Sequence, residues 1–207
     1  MTGSEVVRFD RLTRIVHWTT AVLGLAVLAT GTILYVPELS AAIGLREVLK
    51  DVHVYSALLL PVPLLIGVLS GGPAGRHLRA DLVELGRWSP TDWRWLRRRR
   101  RPAPAGKFNG GQKLVSAAFA GLFLMLLMSG SVMFWHDPFP DPWRTGATFV
   151  HDWAYIGILA ATLGHLAKAV GDPDLMRAMR QGGVDREWAR RERPTWPIED
   201  DPAANEA

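Results

Sequence analysis

Four apolar blocks, Ile15–Val36, Val52–Ser70, Leu114–Trp135 and Thr148–Val170, constrain this 207-residue chain more than anything else in it. Each approaches or exceeds the roughly 20 apolar residues that a helix needs to cross a bilayer, and short polar segments separate them. Inside hydrocarbon every backbone amide must find its partner within the segment, so each block reads as a transmembrane helix. The expected fold is an all-α integral membrane protein, a four-transmembrane-helix bundle. The first block is too long for a signal-peptide core, has no convincing cleavage site after it, and is expected to be retained.

The placement of charge orients the bundle. Arg8, Arg11 and Arg14 precede helix 1, and Arg76, Arg79, Arg87, Arg94, the run Arg97–Arg101, Lys107 and Lys113 fill the segment between helices 2 and 3. The C-terminal part adds Lys168, Arg177, Arg180, Arg186, Arg190, Arg191 and Arg193. The other two loops hold only Arg46, Lys50 and Arg144, against Glu38, Glu47, Asp51, Asp137 and Asp141. By the positive-inside rule both termini and the basic loop between helices 2 and 3 are cytoplasmic, which makes this a multi-pass protein of the inner (cytoplasmic) membrane. The net charge of +4 then reflects topology and lipid contact rather than nucleic-acid binding.

Pro61 and Pro63 predict a break in helix 2, because each removes a backbone donor. Leu78, Leu82 and Leu85 share a face of a short helix over His77–Trp88, and Ser89-Pro90-Thr91-Asp92 resembles the N-cap of another. Pro102–Gly106 interrupts the loop, Pro194–Ala207 reads as an irregular acidic tail, and no tandem repeat is evident. Residues 1–175 are expected to form the membrane domain and 176–207 a cytoplasmic tail.

Histidine is the main metal-ligand candidate, because the chain has no cysteine for thiolate zinc, iron–sulfur or thioether-linked haem sites. Of six histidines, four lie within or at the ends of spans. His151 and His165 are fourteen residues apart in helix 4, a spacing that returns to nearly the same face about 21 Å further on. With the topology above, depth pairs His17 with His165 on the inner side and His53 with His151 on the outer side. Bis-imidazole ligation saturates haem iron and suits electron transfer, so the two pairs suggest two b-type haems. A proton relay is the other reading of such histidines, whereas two pairs some 20 Å apart cannot share a tetrahedral zinc centre. His77 and His136 are expected at the surface.

Glycine spacing fits the same scheme. Gly24 and Gly31 follow His17 by seven and fourteen residues, and Gly67 follows His53 by fourteen, so each ligand-bearing helix carries a glycine at the other level. Gly31 and Gly67 are expected to clear space for the outer and inner haem, although helix packing alone also produces such stripes. Arg14 and Arg11, at the inner end of helix 1, suit haem propionates and suit lipid headgroups equally well.

Residues 8–170 resemble the gamma (cytochrome b) subunit of membrane-bound formate dehydrogenases, within the bacterial cytochrome b561-like group. The resemblance is carried by Arg14-Ile15-Val16-His17-Trp18, Thr30-Gly31, His53, the His151/His165 pair and, most specifically, Gly106-Lys107-Phe108-Asn109-Gly110-Gly111-Gln112-Lys113. It implies the ligand pairs that depth suggests, and a quinone pocket beside the inner haem lined by Asn109, Gly111 and His165. Gln112 and Lys113 offer further donors there, and the N-terminus of helix 3 adds free amides and a positive dipole end.

The resemblance also implies an outer-side iron–sulfur subunit and a molybdopterin or tungstopterin catalytic subunit as partners, with menaquinone or ubiquinone as acceptor. This chain has no evident site for oxidising formate, so any dehydrogenase activity belongs to the complex. A cytochrome b subunit of a hydrogenase or of a thiosulfate/polysulfide-type reductase, and a haem-free membrane anchor, are the alternatives. Arg190-Arg191-Glu192-Arg193-Pro194-Thr195-Trp196 partly resembles a family motif after helix 4, with Arg193 where histidine is expected.

Overall fold

The computed structural model describes residues 5–97, 104–135 and 137–198. His136, Arg98–Arg101 and residues 199–207, on which some of the expectations above fall, lie outside the described residues. Four helical spans are long and apolar enough to cross a membrane. They are α1 (Arg11–Tyr35), the pair α3 (Arg46–Leu59) and α4 (Val62–Leu69), α7 (Gly110–Phe134) and α8 (Asp141–Val170), while α2 (Pro37–Ile43) follows α1. Their surfaces carry exposed Val22, Leu69, Met128, Phe149 and Leu163, with Leu69 82% exposed. Apolar faces of this extent need lipid rather than water against them, and the protein is a multi-pass membrane protein.

The spans begin earlier than the apolar blocks do. Helix α8 starts seven residues before Thr148, at Asp141, whose carboxylate sits at the positive end of the helix and pairs with Arg144 one turn on at 3.1 Å. Polar first turns are good helix but poor membrane, so hydropathy misses them. The break between α3 and α4 falls at Leu60-Pro61.

The chain divides into two compact units. The first contains 15–70 and 119–163, the greater part of the spans. Within it Leu60 packs on Gly24, Leu122 on Gly157, and the Tyr155 hydroxyl lies 3.0 Å from that of Thr32.

The second unit gathers 1–14, 71–118 and 164–207. Here β1 (Glu5–Val7) pairs antiparallel with β2 (Gly183–Asp185), Val6 opposite Val184. Helices α9 (Pro173–Gln181) and α10 (Arg186–Glu192) flank β2, capped by Asp172 and Asp185 through their side chains. Val6, Ala178, Val184, Trp188, Ala189 and Ile198 make the core, with Phe9, Leu175 and Trp196 against it. Residues 176–198 are therefore folded onto the N-terminal strand. Gly182 joins α9 to β2 at φ 99°, and its carbonyl accepts from the amides of Arg8 and Phe9.

Arg8 is 1% exposed and donates from Nη2 to the Lys107 carbonyl at 2.6 Å. The faces of Phe9, Trp188 and Trp196 lie 5.3–5.6 Å from its guanidinium carbon, so ring quadrupoles take the place of a carboxylate partner. Burial, with Arg193 beside it, pushes its pKa down to about 9. Arg193 stacks on the same Trp188.

Helices α5 (Gly72–Gly86) and α6 (Pro90–Arg97) occupy the basic segment between the second and third spans. Ser89 and Asp92 cap α6 reciprocally, the Ser89 amide donating to Asp92 Oδ2 and the Asp92 amide to Ser89 Oγ. Gly110 and Gly111 let α6 approach the start of α7. A Cβ on Gly110 would stand 2.6 Å from the Asp92 carbonyl oxygen, and one on Gly111 2.8 Å from the Trp95 ring. Gly110→Ala should therefore cost about 1–3 kcal/mol as α6 is forced away. Thermal unfolding in detergent checks this, with Gly121→Ala, where a Cβ meets nothing within 4 Å, as the neutral control.

Candidate functional site: a paired-imidazole centre

Within the first unit the rings of His53 on α3 and His151 on α8 face each other with centroids 6.4 Å apart and planes turned 69°. Two imidazoles bound to one metal at ~2.0 Å hold their ring centres roughly 6 Å apart, so this spacing already fits a shared ion.

Hydrogen bonding fixes which nitrogen each ring presents. His53 Nδ1 lies 3.0 Å from the Val27 carbonyl oxygen and 3.2 Å from Thr30 Oγ1. A carbonyl only accepts, so Nδ1 carries the hydrogen and Nε2 keeps its lone pair. On His151, Nδ1 lies 3.0 Å from Ser129 Oγ, whose one hydrogen is taken by the Met125 carbonyl at 2.6 Å, so Nδ1 is the donor here too. Glycine follows the hydroxyl residue in both cases. A Cβ on Gly31 would be 3.0 Å from His53 Cε1, and one on Gly130 3.2 Å from His151 Cε1. The clearance at Gly31 is thus given to the imidazole itself.

Among the described residues no group of three or more His, Asp or Glu is placed to hold a bare metal ion. Two imidazoles are the donor set that suffices for a metal bringing its own equatorial ligands, as haem iron does. The residues fit that group.

The other expected site residues are distributed as follows. His17 lies half-buried on α1 in the first unit, and His165 is exposed on α8 in the second. Gly67 is buried on α4. Arg11 is exposed, whereas Arg14 donates from Nη1 to the Arg180 carbonyl at the end of α9, at 2.6 Å.

The Asn109–Lys113 segment is the N-terminus of α7. Asn109 Oδ1 accepts from the Gln112 amide at 2.9 Å and Gln112 Oε1 from the Asn109 amide at 3.0 Å, a reciprocal capping box. Each side-chain oxygen accepts one bond in the cap, and each NH2 remains as a donor. The Lys113 ammonium is committed to Asp92 Oδ2 at 3.0 Å and to the Arg87 carbonyl at 2.9 Å. Burial pushes the Asp92 carboxyl up, but hydrogen bonds from Ser89 and Lys113 outweigh it and hold it below its ordinary value. A second, part-buried pair joins Lys107, six residues before Lys113, to Asp81 of α5. Burial raises Asp81 despite that partner.

Sequence reasoning passed over Thr30, Ser129 and Gly130 as seats of the histidines. The available signal is the repeated hydroxyl-glycine-hydroxyl triplet Thr30-Gly31-Thr32 and Ser129-Gly130-Ser131, 23 and 22 residues before its histidine.

Four spans define a multi-pass membrane protein, and its facing pair of imidazoles is a donor set that suits a metal macrocycle. Residues 8–181 match the prokaryotic cytochrome b561 family, and the chain belongs to it. That family implies b-type haem. The chain is similar to the cytochrome b556(fdo) subunit of formate dehydrogenase from Escherichia coli (strain K12), 24% identical over 92% of this chain and 91% of the relative. It is similar also to the cytochrome b556(Fdn) subunit of the nitrate-inducible formate dehydrogenase of that strain, 22% identical over 92% of this chain and 89% of the relative.

Proposed function

We propose that this chain is the membrane cytochrome b subunit of a formate dehydrogenase complex. It carries electrons through two b-type haems from an outer-side dehydrogenase to the quinone pool at the cytoplasmic side of the inner membrane. The observation that carries the reading is the His53/His151 pair, rings 6.4 Å apart and each oriented through Nδ1 by a neighbouring helix. When bound, a bis-imidazole haem supplies one-electron transfer with no coordination position open to substrate.

His53 and His151 hold the outer group through Nε2, and His17 and His165 hold the inner one. Gly67 gives the inner group room, and Arg11 is the freer of the two arginines to meet a propionate, since Arg14 is already bonded to α9. At the start of α7, the NH2 groups of Asn109 and Gln112 donate to quinone carbonyls, with Gly111 and His165 completing the pocket. The free amides and positive end of α7 favour the negative charge that builds as the quinone is reduced. Protons enter from the cytoplasmic side, where the basic segments place both termini.

Two relatives named as formate dehydrogenase subunits support a catalytic and an iron–sulfur subunit as partners, and the catalytic subunit proposed is a molybdopterin or tungstopterin one. The acceptor is menaquinone or ubiquinone.

A pyridine haemochrome assay on the purified chain is expected to return two haems b per polypeptide, and none would end the reading. Asn109→Ala is expected to keep both haems while quinone reduction falls by roughly tenfold or more, the order expected for a lost donor hydrogen bond to a developing charge. Unaltered quinone kinetics would remove Asn109 from the site.

A further inference from the structure

His53 and His151 rest on two similar cradles, each a hydroxyl bonded back to its own helix and followed by a glycine. Thr30 Oγ1 lies 2.7 Å from the Ala26 carbonyl and Ser129 Oγ 2.6 Å from the Met125 carbonyl, each four residues back on its own helix. Each hydroxyl has one hydrogen, and these short contacts use it. The oxygen turned toward the ring at 3.2 or 3.0 Å is therefore an acceptor for the imidazole Nδ1–H, alongside the Val27 carbonyl in the case of His53. The glycine after each hydroxyl residue lets the ring reach that depth. Two residues on, Thr32 and Ser131 are bonded back to Leu28 and Leu127 in the same manner. Nothing in helix stability calls for this, since hydroxyls bonded to the preceding turn tend to weaken or bend a helix.

We propose that Thr30 and Ser129 are positioning residues of the outer centre that lower its reduction potential from the two sides of the iron. The proposal rests on the His53/His151 ligation proposed above. An acceptor on Nδ1–H gives the imidazole partial imidazolate character and makes Nε2 a stronger donor. A stronger axial donor stabilises the more highly charged oxidised iron, which lowers the potential. Because each hydroxyl has already given its hydrogen to a carbonyl, its oxygen is a better acceptor than an isolated alcohol. Thr30 and Ser129 touch His53 and His151, so substitutions there act on the outer centre.

The test is redox potentiometry on the purified full chain, following each haem by its visible and electron paramagnetic resonance spectra. Thr30→Val keeps the shape and removes the acceptor, and Ser129→Ala removes the other. Each is expected to shift the outer midpoint upward and leave the inner one in place. The double variant should shift by about the sum, and Thr30→Ser should return the outer midpoint to the parent value. Loss of the outer haem in Thr30→Val that Thr30→Ser restores supports the same role. Both haems present with an unmoved outer midpoint in both single variants overturns it, as does a shift confined to the inner centre. Absence of haem from the unaltered chain would instead defeat the ligation reading, so the two failures are told apart by haem content.

Discussion

Leucine in place of Gly31 is expected to leave one b-type haem per chain where the unaltered protein holds two. Even a methyl group there would stand 3.0 Å from His53 Cε1, and leucine extends further along the same line. The ring cannot stay bonded to Val27 and Thr30 and also yield that space, so Nε2 is turned away from the iron. The helix itself does not suffer, because leucine is a better helix former than glycine by ~0.8 kcal/mol. Gly130→Leu should act in the same way on His151, whose Cε1 is 3.2 Å from the corresponding position. Gly121→Leu, half a turn around α7 from Gly130 and open within 4 Å, should retain both haems. Gly67→Leu should deplete the inner haem instead. Haemochrome content with low-temperature spectra reads all four variants. Two haems with unchanged spectra in both Gly31→Leu and Gly130→Leu would remove His53 and His151 as the outer ligands.

That prediction combines something the sequence announces with something it conceals. Depth along antiparallel helices brings His53 and His151 together on paper, because span position is written in the apolar runs. The rings do stand opposite one another. The break at Pro61 and the Ser89–Asp92 cap are equally local, each set by a side chain acting on its own backbone within a few residues. Thr30 and Ser129 are not legible in this way, since hydroxyls in membrane helices commonly do no more than bond back to the preceding turn, as Thr32 and Ser131 do here.

Long-range pairing is not legible in the sequence either. Strands of three residues, Glu5–Val7 and Gly183–Asp185, are too short to show alternation, and their partners lie at opposite ends of the chain. The same holds for Arg8, which the sequence presents as one more basic anchor before a membrane helix. Only the fold brings Phe9, Trp188 and Trp196 around it. The ring packed against Gly111 is that of Trp95, a contact that the sequence does not show.

Lys113→Met is expected to be the most destabilising single change at the start of α7, by about 3–5 kcal/mol, because it leaves the Asp92 carboxylate buried without its cation. Side chains of both partners are less than a tenth exposed, so water cannot replace the ammonium. The pH dependence gives the sign. In the parent, Asp92 is held below its ordinary value, so its contribution is present above that value and is lost as pH falls through the folded one. Without Lys113 only the Ser89 hydrogen bonds oppose burial, so the folded Asp92 is held down less than in the parent and the variant loses less stability on acidification. The gap between parent and variant should thus narrow on acidification, measured by thermal unfolding in detergent from neutral pH down to about pH 4. Asp92→Asn combined with Lys113→Met should recover most of the loss, since neutral partners remove the uncompensated charge. That double variant also assigns the lysine its work. If it folds and still reduces quinone, Lys113 serves by clamping α6 and the Arg87 carbonyl to α7, and the amides of Asn109 and Gln112 carry the quinone contacts. Loss of quinone reduction in a folded, fully haem-loaded double variant would place the Lys113 ammonium itself in the reaction.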